Sequence, residues 1–580
     1  MRFQEVPKEL PELILTSTDT LITLIYFALV LSIAFALRSR INTGADFFQA
    51  GRTQPAWLCA LAFLAAGMGA PEVICLGAAG ARYGFVAASF FLIGAIPAML
   101  FVGILMMPSY YGSKARSVPG FLRLRFDAKT AALSACLFAM MAILSSAVSL
   151  WLVARIIQAL HIFDGLFRAM GWPLAATFVL SAIVPAVVVL ATVAMSGLRG
   201  VIRNQAVQFL VLVAGLLPVV FLGLKKIGGL GGLAASLPAA NLHPLSGDVQ
   251  GGSIANLAVA LALGLVLGAS FWCSDFRVLQ FAMAAKNMDS ARRAPLFAAV
   301  LALFLPLLLI VPGMVSIGLP TPRTTATTRY ENGAIFHETT VVPPEAELGN
   351  GLVPARVDPA TRKPMLDANG QVLLNYEMAT PNLLTRVLPN GLLGLGLTAL
   401  LAALMSGLAA SVTAFNTVFT YDLYGAFIRK QAADAQYLTA GRWTTTGAVL
   451  LSIGIAYAAV RLDNLVSILL LAFSAVIVPL FAVVLLGMFW RRATSHAAFA
   501  GLIAGATAAL LHHGLTLPIG THRGVGGGWI AVLHHHPNNI AQSLLTAVLA
   551  FGVASIVTVV VSLCTRPTSN PEMRKMALHA

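Results

Sequence analysis

The chain has 580 residues, 58% of them hydrophobic and only 10% charged, with a mean hydropathy of +0.85. Those values exclude a soluble globular enzyme and describe a polytopic membrane protein. The net charge of +15 would suggest nucleic acid in a soluble protein, but here the basic residues sit mainly in short loops between apolar spans and mark topology. The five cysteines, Cys59, Cys75, Cys136, Cys273 and Cys564, lie in or at apolar spans without metal spacing, which argues against a disulfide framework.

In chain order, an acidic, proline-containing stretch to Pro11 precedes a full-length apolar span, with no short cleavable h-region. The N-terminus is therefore expected to be retained. Thirteen membrane spans are expected, at about 18–37, 55–82, 84–107, 130–160, 173–196, 200–225, 254–284, 290–318, 390–425, 440–460, 466–490, 496–516 and 541–565. With the N-terminus outside, the inner loops hold 21 Lys and Arg and the short outer segments 7. That bias predicts an N-out, C-in orientation. The long outer connection 319–389 is rich in Pro, Thr and charge, with turn signals at Asn332-Gly333 and Asn369-Gly370. It reads as a small external subdomain or lid, or else as a loop with no role. The outer loop 517–540 carries His522 and the run His534-His535-His536, with His512 and His513 just before it. Consecutive histidines rarely satisfy one tetrahedral ion, and no thiol or carboxylate is near, so a metal site is not expected.

Two spans are interrupted. The first contains Gly67, Gly69, Pro71 and Glu72 at its centre. Pro71 has no N–H, so the carbonyl of Gly67 loses its helical partner, and backbone oxygens near Ala65 to Met68 are freed. At membrane depth such backbone is tolerated only when packed in protein or lining a wet cavity. A buried carboxylate there points to function, the alternative being a kinked structural helix with Glu72 paired to a neighbour. The second span, 254–284, repeats the theme with Gly264 and Gly268 before Asp275 and Arg277. Four helical spans follow each broken one. Two five-span units of odd span number must be inverted, and interrupted spans at matching positions of inverted repeats point to a midplane substrate and ion site. The glycines alone would also suit close helix packing. A third element, Ala403 to Thr413 in span 390–425, puts Ala403, Ser406 and Gly407 on one helical face. Oxygens from this face and from Ala65 and Met68 would suit a hard cation. Ser406 taken alone reads as a packing serine.

These stretches resemble the solute:sodium symporter family, relatives of the sodium/glucose cotransporters, over about Asp46 to Arg492. Phe47-Phe48-Gln49-Ala50-Gly51-Arg52 is similar to the family's "FFLAGR" segment, and Ser117 to Phe126 to its "P-E-F-L-x-x-R-F" loop. Phe271 to Asp275 with Ala284-Ala285-Lys286-Asn287 resembles its sixth core helix, Pro381 to Tyr424 its eighth, and Leu485 to Arg492 closes its tenth. The details look nearest a bacterial sodium/galactose-type branch. The resemblance implies an all-α membrane protein with a five-plus-five inverted repeat of the leucine-transporter type, working by alternating access. The expected parts are an extra helix and inner loop (1–54), a first repeat (55–225), a second repeat (254–490) carrying the external loop 319–389, and two C-terminal helices with a tail (491–580). The resemblance also places Na+ on Ala65, Met68, Ala403, Ser406 and Gly407, and the sugar pocket on Gly69, Glu72, Phe271, Trp272 and Asp275. Phe271 takes the place of a tyrosine that gates the inner exit. The sequence departs from the family in three ways. Gly407 has no hydroxyl, so one ligand is missing or replaced by water. Asn204 and Gln205 stand where an Asp often follows a Thr. Glu72 replaces a neutral sugar-binding residue.

An aromatic face with carboxylates that accept hydroxyl hydrogen bonds is reasonable sugar chemistry. Arg277 is expected to satisfy Asp275, and Arg155 to snorkel. The expected function is uptake of a small polar solute, a sugar by preference, driven by Na+ in a cell membrane, with no organic cofactor. One charge crossing about 100 mV supplies ~2.3 kcal/mol, roughly fiftyfold accumulation. The first alternative is proton coupling through Glu72. The second is a sensor that binds without transporting, disfavoured because the chain stops at Ala580, soon after its last span. No Walker-type loop and no nucleophile-and-base pair argue for a primary pump or an enzyme.

Overall fold

The computed structural model describes residues 16–160, 175–238, 242, 266–323 and 325–566, the last stretch with gaps at 332–333, 341–343, 358–360, 362, 367–369, 430–432, 460–464, 520, 522, 525 and 537–538. The first half of the second interrupted span, Gly264 included, lies outside the described residues, as do Asn332, Gly333, Asn369 and His522.

The architecture is helical. Helix α1 is Ser17–Leu37, opened by a capping box in which Thr16 and Asp19 satisfy each other's backbone donors. The first interrupted span is α2 (Ala56–Ala66) and α3 (Ala70–Tyr83). Then come α4 (Phe91–Gly112), α5 (Val118–Arg125) and α6 (Ala128–Ala159). The expected spans 173–196 and 200–225 form one long element, α7 (Ala175–Ile227), broken at Gly197. Gly197 has φ +52, and a Cβ there would lie 2.5 Å from the Phe47 carbonyl oxygen. Only glycine fits both the left-handed backbone and that approach.

The second interrupted span is α8 (Ala269–Ser274) and α9 (Phe276–Met283). It is followed by α10 (Met288–Ala302), α11 (Leu305–Gly318), α12 (Ala379–Val387), α13 (Leu392–Thr417), α14 (Asp434–Ala458) and α15 (Leu465–Phe489). Helices α16 (Ser495–Leu515) and α17 (Asn539–Cys564) pack on each other and on α15. Among the described residues, eight helices are long and apolar enough to cross a membrane, or up to ten if each of two bent pairs is one crossing. The bent pairs are α2 with α3, whose second arm runs on to Ala88, at 64°, and α10 with α11 at 52°.

Helix α7 packs along α13 and α1, and α6 along α13 and α14, so α13 sits at the centre with nearly every residue buried. The connection 319–389 carries an antiparallel hairpin of β1 (Thr325–Glu331) and β2 (Ala334–Thr340), followed by short bridges such as Ala355 with Leu374. Its later part docks on the membrane domain. Leu352 N–H donates to the Ser316 carbonyl at 2.8 Å, and Val353 packs with Ala81 of α3 and Ala379 of α12.

At the end rich in basic loops, two ties hold the helices. Gln54 N–H donates to the Ala284 carbonyl and Lys286 N–H returns to the Gln54 carbonyl, joining the start of α2 to the end of α9 by backbone. Buried Arg125, at the end of α5, donates to the carbonyls of Gly487, Trp490 and Ala493 beyond and at the end of α15. That arrangement satisfies helix-end oxygens with a cation.

Candidate functional site

The first break is a full interruption. Helix α2 tightens at its end, with Gly67 N–H on the Leu64 carbonyl and Met68 N–H on the Ala65 carbonyl, both at 3.0 Å. Gly69 is extended and caps α3, whose second residue is Pro71, where a missing N–H costs nothing. Glu72 lies in the first turn of α3, half-buried. Its carboxylate folds back toward the backbone N–H groups of Gly69 and of Glu72 itself, at the positive end of the helix dipole.

The second break differs from the expectation. Gly268 is helical, with φ −62 and ψ −47, and its role is packing, since a Cβ there would lie 2.7 Å from Gly94. The interruption is one residue, Asp275, which leaves the helix (ψ 109) and caps α9 through Arg277 N–H at 2.9 Å. Asp275 is fully buried. Arg277 clamps it, with Nη2 on Oδ2 at 2.5 Å and Nε on Oδ2 and Oδ1 at 2.9 and 3.1 Å. Arg277 Nη1 also donates to Ser145 of α6. The pairing expected from sequence is therefore present, and it occupies the carboxylate oxygens that a sugar would need. Glu72 stands within electrostatic reach of both Arg277 and Asp275.

The two breaks meet through Trp272. Its indole is fully buried, stacks on Phe63 of α2 at 5.4 Å and covers Gly67 so closely that a Cβ on Gly67 would lie 2.3 Å from the ring. Its Nε1–H has no partner among the described residues. Phe271 packs edge-on against Trp272 at 5.0 Å, beside Phe473 of α15. Trp272 thus fills the space between the breaks.

Helix α13 meets the first break from the other side. The Ser406 hydroxyl donates to the Ala65 carbonyl at 2.6 Å, and it also contacts Gln205 Oε1. Gln205 Nε2 donates to the Ser406 carbonyl at 2.8 Å. Ala65 O, Ser406 Oγ and Gln205 Oε1 converge with one hydroxyl proton among them. A Cβ on Gly407 would lie 3.0 Å from Gly69 Cα, so the absent side chain is what lets α13 reach the break. Met68 and Ala403 are both buried here, and Ala403 with Ala70 lines a cavity of about 190 Å³ between α1, α3, α6 and α13. These oxygens suit a hard cation of Na+ type, with hydroxyl, amide and backbone donors and no thiolate or imidazole.

Sequence reasoning did not anticipate Ser145, the third partner of the buried ion pair. It also missed Glu377, carried by the external connection to within electrostatic reach of Cys75, one turn beyond Glu72 on α3. Burial holds the Glu377 carboxyl above the usual carboxylate range, opposed by Arg356 and Arg155. Neither partnership has a local signal. At the opposite group, His536 of β4 (His534–His536) pairs in parallel with β3 (Thr516–Pro518), and His512 bonds Thr546 at 2.8 Å. Among the described residues, no cluster of three or more His, Cys, Asp or Glu is placed to hold a metal ion.

The sequence model of the Sodium:solute symporter family matches residues 47–343 and 348–505. The chain belongs to that family. It is a multi-pass membrane transporter, a secondary active symporter driven by a cation, and not an enzyme. Its relatives include mouse solute carrier family 5 member 4B, 26% identical over 99% of this chain and 83% of the relative. The Vibrio parahaemolyticus sodium/glucose cotransporter is 25% identical over 86% and 85%. The pig sodium/myo-inositol cotransporter 2 is 25% identical over 85% and 69%. The fold matches that of a Na+-coupled sialic acid symporter solved in a substrate-bound, outward-open state, with a TM-score of 0.71, 16% identity, and 95% and 98% of the two chains covered.

Proposed function

We propose that this symporter takes up a sugar or a similarly hydroxylated small solute across a cell membrane, with Na+ held by Ala65, Met68, Ala403 and Ser406 and by water at Gly407. The carrying observation is the Ser406 hydroxyl on the Ala65 carbonyl, which joins α13 to the first break. The Ser406 hydroxyl keeps its proton on Gln205 Oε1 and offers its lone pairs, with the Ala65 carbonyl, to Na+, which ties α13 to α2 until it departs inward. Relatives named as sodium/glucose and sodium/myo-inositol cotransporters support the substrate class. The solute contacts Gly69, Glu72, Phe271 and Trp272. Asp275 acts by holding Arg277 rather than by touching the solute, in keeping with its saturated oxygens. Trp272 must swing away from Gly67 to admit the solute. One helix bundle rocks against the other to expose the solute inward, in a chain with thirteen crossings and the N-terminus outside, the orientation the loop charges support.

A second reading is favoured by the neutral amide of Gln205 at Ser406: a proton carried by Glu72 drives the cycle instead. Radiolabelled sugar uptake into proteoliposomes separates the two. Na+ coupling requires uptake that collapses without a sodium gradient and is indifferent to modest acidification. Sodium-independent uptake that rises with acidity and vanishes in Glu72→Gln establishes the proton.

A further inference from the structure

A cavity of about 570 Å³ opens at the end of the molecule where the basic loops gather, away from both breaks. Its walls include Arg40, Arg199 and Arg203, with Gln54 just before α2 and Trp57 in its first turn. Asp46 is the carboxylate that meets this cluster among the described residues, and it is already engaged, on Arg199 at 3.0 Å. Arg199 further donates to the carbonyls of Arg40 and Ala50, yet its buried Nε–H has no partner among the described residues. Among the described residues Arg203 reaches the Arg199 carbonyl alone, at 3.5 Å, and it stands in the positive field of Arg199 and Arg40. Three guanidinium groups with one acid leave an excess of positive charge held in a concave site. Like charges gathered this way repel one another unless an anion joins them. Trp57 is 59% exposed at the rim, the side chain type that settles at a membrane–water interface.

We propose that this cavity binds the phosphate of an anionic phospholipid headgroup from the inner leaflet. Guanidinium groups present paired N–H donors that match phosphate oxygens. Basic pockets between helices on the cytoplasmic side suit such headgroups. A zwitterionic headgroup is disfavoured because its ammonium would meet the arginines. The bound lipid joins the short 38–40 turn, the inner part of α7 and the start of α2. It therefore steadies the base of the first interrupted span.

The full chain, purified in detergent, is titrated with phosphatidylglycerol, phosphatidylcholine or inorganic phosphate while its thermal unfolding midpoint is followed. Phosphatidylglycerol is expected to raise the midpoint, with little change from the other two. Arg40→Gln combined with Arg203→Gln should weaken the phosphatidylglycerol response about tenfold or more, as loss of hydrogen bonds to a charged group requires. Arg293→Gln, an exposed arginine on α10, should leave it intact. If the double variant does not fold, Arg40→Gln alone is the test, because Arg40 is exposed, and a smaller loss is expected. An undiminished response in these variants overturns the site. An equal shift with inorganic phosphate overturns the lipid as its source, and an equal shift with phosphatidylcholine overturns the charge selection.

Discussion

The two interrupted helices solve one problem with opposite chemistry. Between α2 and α3 the chain unwinds over Gly67 to Gly69 and bends by 64°, using glycine and proline. Between α8 and α9 it departs from helix at a single residue, Asp275, and the gap is closed by a buried ion pair. At the first break the Ala65 carbonyl takes the Ser406 hydroxyl as well as Met68 N–H. The second has its own cation built in. A membrane interior tolerates irregular backbone in either manner, provided that every polar group is met. The first break is tied to α13 by the Ser406 hydroxyl, and the second is closed by its own ion pair.

The largest expected effect comes from opening the second break. Asp275→Ala strands Arg277 in the protein interior, and breaking a buried pair by removing one partner costs about 3–5 kcal/mol. Loss of folded yield in detergent is expected, with partial recovery when Arg277→Met is added. A fully stable single variant would mean that Arg277 finds water. Next comes Gly67→Ala, whose Cβ would lie 2.3 Å from the Trp272 ring. Overpacking of this kind costs about 1–3 kcal/mol. Trp272→Phe in the same chain should restore much of the stability, a coupling readable in a double-mutant cycle.

Ser406→Ala removes the hydroxyl that reaches Ala65. About a tenfold rise in the Na+ concentration for half-maximal uptake is expected, worth ~1.4 kcal/mol, with a stability loss of about 1–3 kcal/mol because the buried Gln205 Oε1 loses its hydroxyl partner. An unaltered Na+ dependence would move the ion elsewhere. The smallest effect is far from both breaks. Burial and the charges of His512 and His534 push the His536 imidazole down to about 4 from an ordinary 6.5. The unfolded chain then binds the extra proton between those values, so stability falls as pH drops from 6.5 toward 4. His536→Gln should flatten that part of the thermal unfolding profile.

Much of this contrast is readable in the sequence, and for local reasons. Pro71 and the glycines around it dictate an interruption whatever surrounds them, and the helical spacing of Ala403, Ser406 and Gly407 aligns them on one face. The rest depends on long-range packing. Gly268 looks like a hinge glycine, but its neighbour is Gly94, from a different helix. Trp272 looks like a sugar platform, yet it covers Gly67. Ser145 completes the Arg277 pair from 132 residues away, and Glu377 is half-buried where the external connection folds back. No periodicity in a single segment reports such partnerships.

The paired backbone bonds between Gln54 and the 284–286 loop carry a mechanical corollary. Two tines soldered at their base cannot splay there. Any movement of the lower arm α2 therefore carries α9 with it, and the non-helical residues Gly67–Gly69 and Asp275 are where such a movement meets the least backbone resistance.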